Sequence, residues 1–328
     1  MQEPERTIAC AFATDSGVQP PVNIEELARR HVDLEHVAIP RKVDGLLLRR
    51  NGKRPLVLIS TNLAADSSRY RFTLAHELGH LIIPWQLGTS LCHVDEQGRL
   101  NIESADGQEA EANKFAAELL VPTKWAAQEY AKRNGPLAQH ILQIATRANV
   151  SPSVAMFAVR RVARPGTILL IHDGKNVVHA AASPHSGCSY PNNGDGLTKF
   201  QHQWAKSQCQ VFQTTIGPRY LLSVEYPECA SLPQIDPEAS SKALIKGLLE
   251  NLVPDLVERR SLLGRINGLV STCNVDAYKT TEEHMYAGLL RKFEIRGNEI
   301  GPVVNQPRFK EYLALKAREL TSPKPKKQ

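Results

Sequence analysis

A chain of 328 residues exceeds a typical single domain, so two or three units with buried cores are expected. The apolar share of 42% is ordinary, and there is neither a long apolar run nor an apolar N-terminal segment behind a basic start; the default is a soluble cytoplasmic protein without a membrane partner. The formal charge of +6 argues little for a polyanionic partner, because Lys324, Lys326 and Lys327 lie in a disordered basic tail over 321–328, and Cys10, Cys92, Cys188, Cys209, Cys229 and Cys273 lack the Cys-x-x-Cys spacing of a zinc ribbon or redox pair.

Residues 1–35 read as a lead-in, broken by Pro20-Pro21 and followed by a helix that Asn23 caps. The apolar runs Gly45 to Leu48 and Leu56 to Ser60, separated by the turn signal Arg50-Asn51-Gly52-Lys53, predict a β-hairpin. The segment Ala64 to Ser68, with Asp66, Ser67 and Ser68, then supplies caps for a helix that Pro84 ends near Ile83.

That helix carries Arg71-Phe72-Thr73-Leu74-Ala75-His76-Glu77-Leu78-Gly79-His80. His76 and His80, four residues apart, stack on one face and can offer two nitrogens to one metal ion. Glu77 lies about a hundred degrees further round, outside the ligand pair yet within reach of a water that the metal activates, whose proton it can accept. Phe72, His76, Gly79 and Ile83 share an apolar stripe, so these histidines are expected to be buried and to need partners. The alternative is a pair of core histidines bonded to backbone carbonyls.

Residues 85–107 read as an irregular segment overhanging the site. His93 within it is read as a surface histidine ahead of a ligand or an oxyanion donor, and Tyr130 is a second oxyanion candidate. The next amphipathic helix, Glu109 to Leu120, is ended by Pro122. Two histidines leave a catalytic zinc short of protein ligands, and this helix can supply a third. Ala112, Phe115, Ala116, Leu119 and Leu120 define its core stripe; Glu109 sits at the stripe's edge, whereas Glu111 projects toward the polar side of Glu118. Glu109 is therefore assigned as third ligand and Glu111 as a solvent-facing group or a support behind the ligands. The competing account is an acidic first turn favoured by the helix dipole.

These residues resemble the ImmA/IrrE zinc metallo-endopeptidases over roughly the first half of the chain. The resemblance rests on Pro21-Val22-Asn23-Ile24, on Gly45, on Arg71 to His80, and on Glu109 to Pro122. It implies one Zn²⁺ per chain held by His76, His80 and Glu109, with Glu77 as catalytic base. It also implies cleavage of a repressor protein in a stress, mobile-element or phage-response setting, and hence a role in transcription regulation.

Beyond this, Ile141 to Ala145, a turn at Ala148 to Ser151, and a helix from Pro152 to Val162 capped by Ser151 look like a helix-turn-helix. Arg160, Arg161 and Arg164 are too few to establish DNA reading, so scaffold is preferred over DNA binding. Thr167 to His172, Asn176 to His179, Gln210 to Thr215 and Tyr220 to Tyr226 read as strands, and Ala243 to Leu252, Asp255 to Cys273 and Arg308 to Leu320 as helices, with Leu244, Leu248, Leu249 and Leu252 as a core stripe.

The expected architecture is α+β: a zincin-like peptidase domain over 1–135, a helix-turn-helix-like segment over 136–165, a small mixed α/β module, a possible sensor, over 166–235, and a helical region over 236–320. The expected function is zinc-dependent proteolysis; the alternative is a metal-containing transcriptional or defence regulator that acts by binding.

Overall fold

Pro4 opens the first helix, α1 (Pro4–Asp15), where a proline forfeits no helical hydrogen bond. Its apolar spacing is too faint to mark a helix in a stretch that reads as a lead-in, yet Ala9 and Ala13 are buried. The computed structural model describes residues 3–39, 43–86, 90–93, 107–184, 186, 190–205, 209–227, 232–236, 238–273 and 281–322, in two units, Met1–Val162 and Ala163–Gln328. The lysines of the basic tail lie outside the described residues.

In the first unit, Asn23 caps α2 (Ile24–His31) by accepting from the Glu26 amide. The expected hairpin forms from β2 (Val43–Leu48) and β3 (Leu56–Ser60), antiparallel to each other. Two further strands complete a sheet of order β1-β3-β2-β4. β1 (Asp33–Val37) pairs in parallel with β3, and its sequence Asp-Leu-Glu-His-Val holds too few apolar residues to announce a strand. β4 (Ser90–His93) pairs with β2 within the segment expected to be irregular.

α3 (Ser68–Ile82) starts at Ser67, whose hydroxyl accepts from the Tyr70 amide, and stops before Pro84 as expected. The sequence shows one apolar stripe, but every residue from Tyr70 to His80 is buried, because β2, β3, β4, α2 and α4 (Gln108–Leu120) all pack around it. Gly79 permits the α4 approach: a Cβ there would stand 3.1 Å from Phe115 and 3.2 Å from the Ala112 Cα.

α5 (Thr123–Ala131), α6 (Leu137–Ala148) and α7 (Pro152–Val162) close the unit. The turn between α6 and α7 uses Asn149 in the left-handed region, φ 52°, and Ser151 caps α7. Arg71, on α3, donates to the carbonyls of Asn149 and Val22, tying this turn and the loop before α2 to the central helix. Glu118, read from sequence as part of a polar side, is buried: it accepts from the Thr123 amide and hydroxyl and pairs with Arg161 at 3.0 Å. Burial pushes the Arg161 guanidinium down to about 10. Arg161 is thus committed inside the unit.

The second unit holds an antiparallel sheet of order β6-β5-β8-β7, from β5 (Thr167–His172), β6 (Val177–Ala182), β7 (Gln210–Ile216) and β8 (Arg219–Glu225). Ile168, Leu170, Leu222 and Val224 pack with Trp204 of α8 (Leu197–Ala205). α9 (Ser241–Leu252), α10 (Leu256–Ser271), α11 (Glu282–Ile300) and α12 (Pro307–Thr321) share a core containing Leu248, Leu249, Leu289, Phe309 and Tyr312. Leu248 and Leu249 of the α9 stripe are buried in this core and Leu244 and Leu252 pack partly buried against it, whereas the sequence does not announce α8 and α11. Arg291 of α11 donates to the carbonyl of Ser186, in the loop that follows β6. The architecture is α+β, with small sheets and many helices. Among the described residues, no helix is long and apolar enough to cross a membrane.

Candidate metal centre

α3 and α4 bring together three potential ligands. His76 Nε2 and His80 Nε2 stand 2.9 Å apart, and each lies 3.2 Å from one oxygen of Glu109. The four-residue spacing produces the first pair, and the Gly79 contact draws in the helix that bears the third. The two histidines are buried, and Glu109 is partly exposed at the start of its helix. Among the described residues this is the only cluster of three such side chains close enough to share a metal ion.

The other ring nitrogens are already engaged. His76 Nδ1 lies 2.8 Å from Asn113 Oδ1, and His80 Nδ1 lies 2.7 Å from Gln86 Oε1. Each amide oxygen can only accept, so each Nδ1 carries the proton and each Nε2 presents a lone pair. Two lone pairs and a carboxylate then face one another, an electrostatic arrangement that a cation among them relieves. Two imidazoles and a carboxylate suit a divalent first-row ion, zinc above all. Burial holds the His76 imidazole below its ordinary value, which favours the neutral form a metal requires. Partial burial opposes ionisation of Glu109, but His76 and His80 beside it, when their rings are protonated, outweigh this and hold its carboxyl at about 2.

Gln86 and Asn113 went unread in the sequence. Asn113 carried a signal, since it follows Glu109 by four residues and so shares its helix face. Gln86 follows the helix break and had none. Its amide nitrogen donates to Glu111 at 2.7 Å and to the Gln108 carbonyl at 3.0 Å. Glu111, which also accepts from Trp85 Nε1, therefore sits behind His80 through Gln86. Arg49 donates to the carbonyls of His80, Leu81 and Gln86, fixing this corner.

Glu77 is fully buried on the same helix, with Gly45 of β2 against its carboxylate. His93 contributes backbone to β4, and its side chain lies outside the described residues. Tyr130 is half-buried on α5, which packs chiefly on α6 and α7.

Residues 24–160 match the family model described as the IrrE N-terminal-like domain of Peptidase_M78. Over residues 24–160 the chain is therefore similar to the IrrE N-terminal-like domain. A curated relative, the radiation response metalloprotease IrrE of Deinococcus radiodurans, is 37% identical over 109 residues, which cover 31% of this chain. The match spans only 30% of that relative's length. A solved structure of a Mycobacterium tuberculosis transcriptional regulator aligns with 67% of this chain and 86% of its own at 14% identity and a TM-score of 0.42, too loose to bear on function. The matched model is that of a peptidase family, and the His-His-Glu group lies within the matched residues and could hold a metal ion.

Proposed function

We propose that the chain is a zinc-dependent endopeptidase with a zincin-like active site, holding one zinc ion through His76, His80 and Glu109. The observation that carries this reading is the convergence of three electron-rich atoms whose imidazole tautomers Asn113 and Gln86 already fix. Bound zinc would supply Lewis acidity to the scissile carbonyl and lower the pKa of an attacking water. Glu77 takes that water's proton and returns it to the leaving amine. Its burial between α3 and β2 keeps the carboxylate from solvent and fixes where the proton is received. Glu111 acts through Gln86, holding the amide that holds His80.

The substrate we infer is a regulatory protein, a helix-turn-helix repressor, cleaved in a stress, mobile-element or phage-response setting. The curated relative's name, a radiation response metalloprotease, supports a stress context. DNA binding by α6 and α7 has less support, since Arg161 is spent on Glu118 and Arg71 uses the intervening turn as an internal anchor. We further infer that residues 163–328, a separate compact unit, decide when the peptidase acts.

The test is incubation of the zinc-loaded chain with a proteome-derived peptide library, scored by mass spectrometry for new amino termini. Cleavage that disappears on chelation supports the proposal. Cleavage indifferent to chelation, or none with one zinc bound, opposes it.

A further inference from the structure

Gly45 occupies an unusual place for a glycine, the interior of a paired strand. Glycine weakens a strand because it costs more backbone entropy and offers no side chain to pack, so its presence there calls for a close approach. The approach is to Glu77. A Cβ on Gly45 would stand 2.7 Å from Glu77 Oε1, 3.2 Å from its Cδ and 2.8 Å from Thr73 Cγ2. These separations fall inside van der Waals contact, so either the strand or the carboxylate must give way.

The strand is held. Gly45 pairs with Ile59 of β3 on one side and with Cys92 of β4 on the other. Asp44, beside it, accepts both Arg69 Nε at 2.6 Å and Arg69 Nη2 at 2.9 Å, a two-pronged bond to the first turn of α3. At the strand's far end, Arg49 donates to the His80 carbonyl at 2.6 Å. Between these anchors, five strand residues span about 17 Å and eleven helical residues about the same, so β2 and α3 run side by side in register. A register shift in the β2–β4 pairing between Val43 and Gly45 accompanies two consecutive buried residues, Asp44 and Gly45, that both address α3.

We propose that Gly45 is a positioning residue for Glu77: the missing side chain leaves the space in which the carboxylate sits, and the pinned strand makes that space a fixed wall. The proposal rests on the role given to Glu77 above. A methyl group at Gly45 leaves His76, His80, Glu109 and their amide partners in place and displaces the carboxylate. Misplacing a reacting group by about an ångström costs on the order of 100-fold in rate.

The experiment compares Gly45→Ala with the parent chain for zinc affinity, kcat and KM, using a peptide that the parent cleaves. The expected result is zinc affinity and KM within about threefold of the parent, and kcat lowered on the order of 10- to 100-fold. Gly45→Ala combined with Thr73→Ser removes the clash with the Thr73 methyl while keeping the one with Glu77, so kcat should stay low. Recovery of kcat in that double variant would overturn the proposal, as would an unchanged kcat in Gly45→Ala or a Gly45→Ala chain that no longer takes up zinc. A parent chain that binds zinc and cleaves nothing overturns the peptidase reading and this inference with it, whereas a normal kcat in Gly45→Ala overturns the inference alone.

Discussion

Gln86 Oε1 lies 2.7 Å from His80 Nδ1, while the nitrogen of the same amide donates to Glu111 at 2.7 Å and to the Gln108 carbonyl at 3.0 Å. Two acceptors fix the orientation of the amide, which leaves only its oxygen for the imidazole. The His80 tautomer is therefore set two residues away from the ligand cluster, by Glu111.

Gln86→Leu removes that acceptor while keeping the bulk. Zinc affinity should fall by about 10- to 100-fold, the usual cost of losing a partner behind a histidine ligand. Competition with a chromophoric chelator measures it, and affinity within twofold of the parent would show that Gln86 does not orient His80.

Asn113 separates shape from chemistry. Asn113→Asp still offers an oxygen to His76 Nδ1 and should hold zinc at least about as well as the parent, whereas Asn113→Leu should lose affinity by about 10- to 100-fold. Equal affinities in the two variants would contradict the assigned His76 tautomer.

Acid should strip the metal in a defined direction. Burial lowers the His76 value from 6.5, so the folded protein favours the neutral ring and protons compete with zinc only as the pH falls below 6.5. Glu109, at about 2, stays ionised through this range. Zinc released to a chelator across a pH series should accordingly be retained at neutrality and lost on the acid side; loss that begins above about pH 7 would contradict the account.

Glu118→Ala tests the internal pairing. It removes the buried carboxylate that faces the mostly buried Arg161, and Arg6 at 3.7 Å, and takes away the acceptor of the Thr123 amide, a loss of about 1–3 kcal/mol. Urea denaturation measures the loss, and a change under about 1 kcal/mol would mean that solvent reaches Arg161, which surface pairs allow.

Local chemistry wrote some of this structure plainly into the sequence. The caps at Asn23, Ser67 and Ser151, the break at Pro84, the β2–β3 hairpin and the Glu109 helix each follow from adjacent residues. The pairing of His76 and His80 follows from helical spacing, and Glu109 from its stripe edge. What sequence did not disclose depends on distant parts of the chain. β1 has meaning only beside β3, and α3 is buried all round because five elements surround it. Glu118 reads as a surface charge until Arg161, 43 residues later, is folded against it (161 − 118). Gln86, though only six residues from His80, becomes its partner through the turn that Ile83 to Gln86 makes, which no local signal specifies.

The most direct measurement concerns Glu77, because the peptidase reading separates it from the ligands. Glu77→Gln keeps the shape of the side chain and removes its ability to take a proton. The account predicts that this variant binds one zinc with parental affinity and cleaves no peptide that the parent cleaves. Retained cleavage, with zinc bound, would contradict it.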